Sequence, residues 1–316
     1  MSPESNVAQD TVPDGARAGY VPVTGGRVWY RIAGQGAPGV PLLVLHGGPG
    51  ASCDYLEPLR GLSDERPVAF YDQLGCGNSD RPEDTALWSV ERYVEELHQV
   101  REALGLEEVH IFGQSWGTAL AVDYLLERGA DGVHSLVLSG PLLSTSRWIA
   151  DQEKHVSKLP ATTRAVIEEC EASGDFDSPR YREAMMEYYR LHVCRLDPWP
   201  DCLNGTIEKL NVPLYRYMWG PSEFTVNGTL KNYERVERLK EITVPVLFTC
   251  GGADEATPET TRYYRDHLPG SQIRVFAGAS HEHHLEHPEE YLETVREFLR
   301  RAEPGKNDAH GFKSQM

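Results

Sequence analysis

Cysteine is sparse in this chain of 316 residues, and its spacing is irregular. None of the cysteines belongs to a C-x-x-C pair; they are Cys53, Cys76, Cys170, Cys194, Cys202 and Cys250. This spacing argues against a disulfide framework and against a zinc site, and it predicts free thiols in a reducing compartment such as the cytoplasm. A single bridge between Cys194 and Cys202 is the one alternative left open.

Long apolar runs and an excess of positive charge are also missing. No run approaches the roughly 18 apolar residues of a membrane-spanning helix, and the initial segment MSPESNVAQDTVPDG lacks the features of a secretory signal. A net charge of −17 argues against binding to nucleic acid or to an anionic membrane. We therefore expect a cytoplasmic protein with a small-molecule substrate, no cofactor and no metal. The sequence gives no indication of its oligomeric state.

Strand and helix patterns alternate at both ends of the chain, with a helical stretch between them. A hairpin is predicted at 20–32, and apolar strands at 42–45, 67–71, 109–112 and 135–139, with further strands at 244–249 and 272–276. This order predicts an α/β fold with a doubly wound, mostly parallel sheet. We expect a core formed by residues 17–141 and 241–303, a helical cap at 142–240, a disordered tail at 1–16 and a loose tail at 304–316.

The stretch GQSWG at residues 113–117 has the form G-x-S-x-G and lies between a predicted strand and a predicted helix. Strand, sharp turn and helix are the setting of a nucleophile elbow, which raises a serine at the carboxyl end of a strand. The pattern therefore predicts Ser115 as a nucleophile. A chance match in a glycine-containing loop is the alternative.

A serine nucleophile needs a base and an acid that orients the base, and in this arrangement they follow in the order Ser, Asp or Glu, His. Asp254 and His281 each lie just after a predicted strand, so they are the predicted acid and base. The rival acid is Glu255. The rival bases are His283, His284 and His287, for which solvent-exposed positions near the last helix are the simpler interpretation. A metal cluster in this His-rich run is disfavoured because its spacing matches no closed site.

The tetrahedral intermediate of acyl transfer also needs donors for its oxyanion. One is the backbone N–H of Trp116, the residue after the nucleophile, and the other comes from the loop after the 42–45 strand. The sequence HGGPG supplies exposed backbone there, so Gly47 or Gly48 is the predicted second donor.

The motifs HGGPG, DQLGCGNS, GQSWGT, MWGPSEF and GGADEATP occur in this order. Together they resemble the proline iminopeptidase family of α/β hydrolases, over roughly residues 20–300. The resemblance implies an α/β-hydrolase fold with an inserted helical cap. Members of the family remove an N-terminal residue, often proline, from peptides and amino-acid amides, and some strip aminoacyl groups from biosynthetic intermediates.

The resemblance also implies a site for the substrate's free amine. A glutamate of the cap motif G-P-x-E-F binds that amine in similar members, which gives the role to Glu223, and a second glutamate follows the triad aspartate, here Glu255. Two carboxylates near the nucleophile would hold an ammonium group and reject a neutral N-acyl group. Both could instead be ordinary solvated charges. Tyr215, Trp219 and Phe224 are candidate walls of the pocket, although aromatic cap residues are more often core.

These residues predict a serine aminopeptidase that acts on short peptides or amino-acid amides through an acyl-enzyme. The alternatives are an amidase that removes an aminoacyl group from a biosynthetic intermediate, and an esterase of the same fold. A non-catalytic binding module is disfavoured because it would have no need of all three triad residues.

Overall fold

The computed structural model describes residues 9–11 and 16–303, and a nine-stranded sheet lies at its centre. The strands are β1 (Gln9–Thr11), β2 (Arg17–Val23), β3 (Gly26–Ala33), β4 (Leu42–Leu45), β5 (Val68–Tyr71), β6 (Val109–Gln114), β7 (Val133–Ser139), β8 (Val246–Gly251) and β9 (Gln272–Phe276). Their spatial order is β1-β2-β3-β5-β4-β6-β7-β8-β9. The pairs β1–β2, β2–β3 and β3–β5 are antiparallel, and the other five pairs are parallel. This confirms the predicted mostly parallel sheet.

The parallel strands are buried on both faces. All four residues of β4 are fully buried: Leu42 and Val44 join one apolar cluster, while Leu43 and Leu45 join the other. Successive side chains of a strand point to opposite faces, so the two clusters are the layers above and below the sheet. The continuous apolar run of β4 therefore reflects a strand covered on both sides.

Ten α-helices occur in the described residues. They are α1 (Val90–Leu104), α2 (Trp116–Arg128), α3 (Thr145–Val156), α4 (Ala161–Ser173), α5 (Pro179–His192), α6 (Asp201–Lys209), α7 (Val212–Met218), α8 (Pro258–Asp266), α9 (His283–Glu286) and α10 (Pro288–Ala302). The start and stop of α1 follow from its sequence: the Ser89 side chain accepts a hydrogen bond from Arg92 N–H, and Gly105 ends the helix in a left-handed conformation at φ 67°. No helix of the described chain combines the length and apolarity that crossing a membrane requires.

Five of these helices, α3 to α7, separate β7 from β8, where the strand-like patterns of the sequence stop. Hydrogen bonds and ion pairs join residues 142–240 to the sheet region. For example, the Thr206 hydroxyl accepts a hydrogen bond from Tyr55 N–H at 3.1 Å, and Arg235 forms an ion pair with the buried Asp123 of α2. We retain residues 142–240 as a proposed cap on this basis.

The N-terminal prediction needs one correction. Residues 9–11 form β1, which pairs with β2 through Gln9 and Gly19 and extends the sheet by one strand, so this part of the 1–16 segment is not a disordered tail. Residues 1–8, 12–15 and the predicted loose tail at 304–316 lie outside the described residues.

Candidate active site

Ser115 is held in a strained turn between β6 and α2. Its φ of 53° is the only positive value at a non-glycine position in the described chain, and such strain is typical of functional positions. Its backbone N–H donates to Ser139 O of β7 at 2.9 Å, which fixes the turn against the neighbouring strand. The side chain remains close to the surface of a cavity, with 8% of the residue exposed.

Asp254 and His281 are brought together from the loops after β8 and β9. His281 Nδ1–H donates to Asp254 Oδ1 at 2.7 Å, and both residues are buried. The aspartate is itself oriented by two backbone donors, Gly251 N–H at 3.0 Å and Ala256 N–H at 2.8 Å. The bond at Nδ1 leaves Nε2 as the atom of the imidazole that can exchange a proton with another group.

His281 Nε2 faces a second carboxylate. It has no hydrogen-bond partner among the described residues, and Glu255 Oε1 lies 3.6 Å away. Burial lowers the pKa of His281, but the negative charges of Asp254 and Glu255 outweigh it and raise this pKa to about 10. The two carboxylates therefore favour the protonated form of the imidazole in the unliganded protein.

The loop after β4 is fixed by polar contacts from two sequence motifs. His46 Nδ1–H donates to Gly47 O at 2.9 Å, while His46 Nε2 accepts from Gln73 N–H at 2.9 Å. Gln73 Oε1 in turn accepts from Trp116 Nε1–H at 2.9 Å. The histidine of HGGPG and the glutamine of DQLG thus hold the loop beside the start of α2.

Of the two glycines predicted as oxyanion donors, Gly47 is already engaged. Its N–H donates to Tyr55 Oη at 2.7 Å, which argues against an oxyanion role. Gly48 lines the cavity together with Ser115. Trp116 is the first residue of α2, so its N–H has no acceptor within the helix.

A cavity of about 400 Å³ lies above Ser115 and contains both predicted amine-binding glutamates. Glu223 Oε1 accepts from Tyr215 Oη–H at 2.6 Å, and the Glu223 backbone O accepts from Trp148 Nε1–H at 2.8 Å. Glu255 is 1% exposed, and its Oε2 has no hydrogen-bond partner in the described chain. Burial raises the pKa of both carboxyls, and for Glu255 the charge of Glu223 adds to the rise.

The structure contradicts two of the three predicted pocket walls. Tyr215 lines the cavity, but Trp219 and Phe224 are not among its described lining residues. Trp219 is 1% exposed and packs edge-on against Trp148 in the core. Phe224 packs against Tyr188 within the helical stretch. Both aromatic side chains are used for packing because they remove large apolar areas from water.

Comparison with known proteins identifies the family of this chain. A family model described as alpha/beta hydrolase fold matches residues 40–288. A proline iminopeptidase of Heyndrickxia coagulans is 48% identical over 282 residues, which are 89% of this chain and 98% of that protein. The chain belongs to the proline iminopeptidase family of α/β hydrolases.

Solved structures of similar proteins match most of the chain. The crystal structure of the proline iminopeptidase of Mycobacterium smegmatis is 37% identical, with a TM-score of 0.83 that covers 90% of this chain and 98% of that one. The crystal structure of VinJ is 34% identical, with a TM-score of 0.86 that covers 90% of this chain and 99% of that one.

The interpretation of His283 and His284 as solvent-exposed is wrong for this family member. Both are fully buried. His283 Nδ1–H donates to Ser280 O at 3.2 Å, and its Nε2 lies 3.0 Å from the hydroxyls of Ser139 and Thr249. Burial lowers the pKa of His283 to about 4, so it serves as a neutral packing group. The sequence could not reveal this because α9 is a single turn, and its burial depends on the distant segments that the fold packs around it.

The sequence analysis did not predict two further residues of the site. Gly140, just after β7, lies against the His281 ring: a Cβ there would come within 2.5 Å of Cε1, so only glycine fits. Glu282 is a further carboxyl on the cavity wall, and it is 5% exposed. Its position next to the predicted base is the sequence signal that could have identified it.

Proposed function

We propose that this protein is a serine aminopeptidase, which hydrolyses the amide bond after a free N-terminal amino acid in short peptides or amino-acid amides. The observation that carries the proposal is the position of Glu223 and Glu255. Both carboxyls line the cavity that holds Ser115 and His281. A cationic amine placed between them would be bound by opposite charge, whereas an acylated amine has no charge to offset those of the two carboxyls.

The proposed reaction proceeds through an acyl-enzyme. His281 Nε2 takes the proton of the Ser115 hydroxyl, and Ser115 Oγ attacks the carbonyl carbon of the first residue. His281 then protonates the leaving amine as the amide bond breaks. A water molecule, deprotonated by His281, attacks the acyl-enzyme and releases the free amino acid.

The bound ammonium has a second effect in this proposal. In the unliganded protein the charge of Glu255 helps to hold His281 protonated, and a protonated imidazole cannot act as a base. An ammonium beside Glu255 offsets this negative charge, so the pKa of His281 falls and Nε2 becomes available to Ser115. The correct substrate thereby helps to activate the base.

The oxyanion is assigned to the backbone N–H groups of Trp116 and Gly48. Trp116 follows the nucleophile at the N-terminus of α2, where the partial positive charge of the helix also favours an anion. Gly48 replaces Gly47 in this role because the Gly47 N–H is bonded to Tyr55. Losing one such donor typically costs about 100- to 1,000-fold in turnover.

The test compares Pro- and Ala-β-naphthylamide with their N-acetyl analogues. We expect hydrolysis of the free amines by the native protein, at least about 100-fold slower hydrolysis of the blocked ones, and loss of hydrolysis in Ser115→Ala. Glu223→Gln should raise KM for the free amines and narrow the difference between free and blocked substrates. Equal rates on free and blocked substrates would remove the amine-binding role, and faster cleavage of p-nitrophenyl esters that is indifferent to Glu223→Gln would favour the esterase alternative.

A cytoplasmic location is part of the proposal. All six cysteines are free, and Cys53, Cys76, Cys170, Cys194 and Cys250 are buried. The alternative bridge between Cys194 and Cys202 is not formed. Unpaired thiols suit a reducing compartment, and fractionation of the source cells with an antibody against the protein would test this assignment.

A further inference from the structure

Glu282 is a buried carboxyl that the proposed reaction leaves without a role. It is 5% exposed, lines the cavity of Ser115, and its Oε2 has no hydrogen-bond partner in the described chain. Its one ion-pair contact within the described residues is with His284, whose Nδ1 lies 3.6 Å from Glu282 Oε2. No arginine or lysine of the described residues forms an ion pair with it.

His284 cannot supply the missing positive charge. Its Nε2 lies 3.0 Å from the backbone O of Tyr55, which can only accept a hydrogen bond, so the ring proton is on Nε2. Burial lowers the pKa of His284 to about 3, which keeps the ring neutral. His284 Nδ1 is therefore a bare acceptor that faces a carboxyl.

Glu282 and the amine-binding Glu223 are held in place by different contacts. Glu223 is held by Tyr215 and Trp148. Glu282 is instead anchored through its N–H to Val193 O at 2.8 Å, and it lies near Tyr55 by way of His284.

The carbonyl carbon attacked by Ser115 divides a substrate into an acyl part and a leaving part. When Glu223 and Glu255 hold the ammonium of the acyl part, the leaving amine extends away from them. Glu282 directly follows His281, the residue that protonates the leaving amine, and it lines the same cavity.

We propose that Glu282 is a specificity-determining residue that pairs with a cationic group on the leaving amine, so that favoured substrates carry a lysine, an arginine or a diamine after the scissile bond. This inference rests on the proposed aminopeptidase function. The physical basis is that a buried carboxyl without a partner is costly, and an ammonium or guanidinium group brought by the substrate removes that cost.

The test uses two dipeptide amides that differ in one charge, Ala-Lys-NH2 and Ala-norleucine-NH2, with released alanine as the readout. We expect the native protein to favour the lysine compound in kcat/KM by roughly tenfold or more, the size of one charge-assisted hydrogen bond. Glu282→Gln should bring the ratio close to one. Because a glutamine amide has nearly the same shape and can donate a hydrogen bond to His284 Nδ1, a merely structural role of Glu282 predicts an unchanged ratio in this variant.

Two controls separate this role from others. Asp177→Asn removes a negative charge from the exposed mouth of the same cavity and should keep the lysine preference. The ratio of Lys- to norleucine-β-naphthylamide reports the first residue and should not respond to Glu282→Gln. Each ratio is measured on one preparation, so a reduced folded fraction cancels.

A ratio near one in the native protein, a ratio retained in Glu282→Gln, or an effect confined to the first residue would each overturn the inference. Cleavage of Ala-β-naphthylamide without a lysine preference overturns this inference alone. Failure to cleave that compound or either dipeptide amide overturns the proposed function and this inference with it.

Discussion

At the scale of single residues, the site is a concentration of acidic groups around one imidazole. His281 is bonded to Asp254 on one side and faces Glu255 on the other. Burial raises the pKa of Glu282 to about 8, and the charge of Asp254 adds to the rise while that of His281 opposes it. Since these groups interact strongly, they titrate as a coupled set, and removing one of them changes the pKa of the others.

The base in the unliganded protein is expected to become available only at high pH. The rate at which a neutral fluorophosphonate labels Ser115 should rise with pH through the pKa of His281, because only the neutral imidazole can take the serine proton. Glu255→Gln removes a negative charge that raises this pKa, so the rise should move to lower pH by about 1–3 units.

The measurement is a pH profile of the labelling rate, which avoids the amine of a substrate. Glu259→Gln is a suitable control, because this glutamate of α8 is 82% exposed in its side chain and should leave the profile unchanged. An identical profile in Glu255→Gln and in the native protein would mean that Glu255 does not act on His281.

At the scale of elements, the turn between β6 and α2 depends on close approach of backbones. A Cβ on Gly117 would lie 2.3 Å from Leu45 O and 2.9 Å from His46 O. Real Cβ atoms do not come so close to backbone oxygen, so α2 and the loop after β4 can pack only if residue 117 lacks a side chain. The same contact sets the distance between Ser115 and the oxyanion loop.

Gly117→Ala should therefore reduce stability and activity together. We expect a loss of about 1–3 kcal/mol in the free energy of unfolding, the usual cost of overpacking, with a fall in kcat because the oxyanion donors move. Gly205→Ala in α6 is the matched control: no atom lies within 4 Å of its added Cβ, so stability should be unchanged or slightly higher. Urea unfolding monitored by circular dichroism, beside steady-state kinetics, checks both changes; an unaltered midpoint and kcat in Gly117→Ala would contradict the packing argument.

At the scale of the whole molecule, a net charge of −17 surrounds a site proposed to bind cations. The field of the protein should raise the local concentration of a positively charged substrate near the cavity. Salt screens this field, and the Debye length falls from about 30 Å at 0.01 M to about 3 Å at 1 M.

Raising the ionic strength over this range should lower kcat/KM for Ala-β-naphthylamide a few-fold, mainly through KM. The rate of labelling by a neutral fluorophosphonate provides the control, since an uncharged probe does not respond to the field. If the labelling rate fell in parallel with kcat/KM, the salt effect would lie in the protein's conformation and not in attraction of the substrate.

Much of this molecule could be predicted from local sequence. The run at Leu42–Leu45 predicted a strand buried on both faces, Gly105 predicted the end of α1, and the G-x-S-x-G pattern predicted the strained turn at Ser115; the structure has each of these. Such features depend on residues that are close together in the chain, so their physical causes can be recognised there. The mostly parallel sheet followed from the alternation of strands and helices in the same way.

The contacts between distant segments were decided by the tertiary structure alone. Local sequence could not show that Tyr55 accepts a hydrogen bond from the Gly47 N–H, or that Trp219 packs in the core instead of lining the cavity. Nor could it show that His284 is buried beside Glu282. The exposure and pairing of a side chain depend on what the rest of the chain places around it. For the buried carboxyls this matters most, because a low-dielectric surrounding determines whether each one is ionised, and that surrounding exists only once the chain has folded.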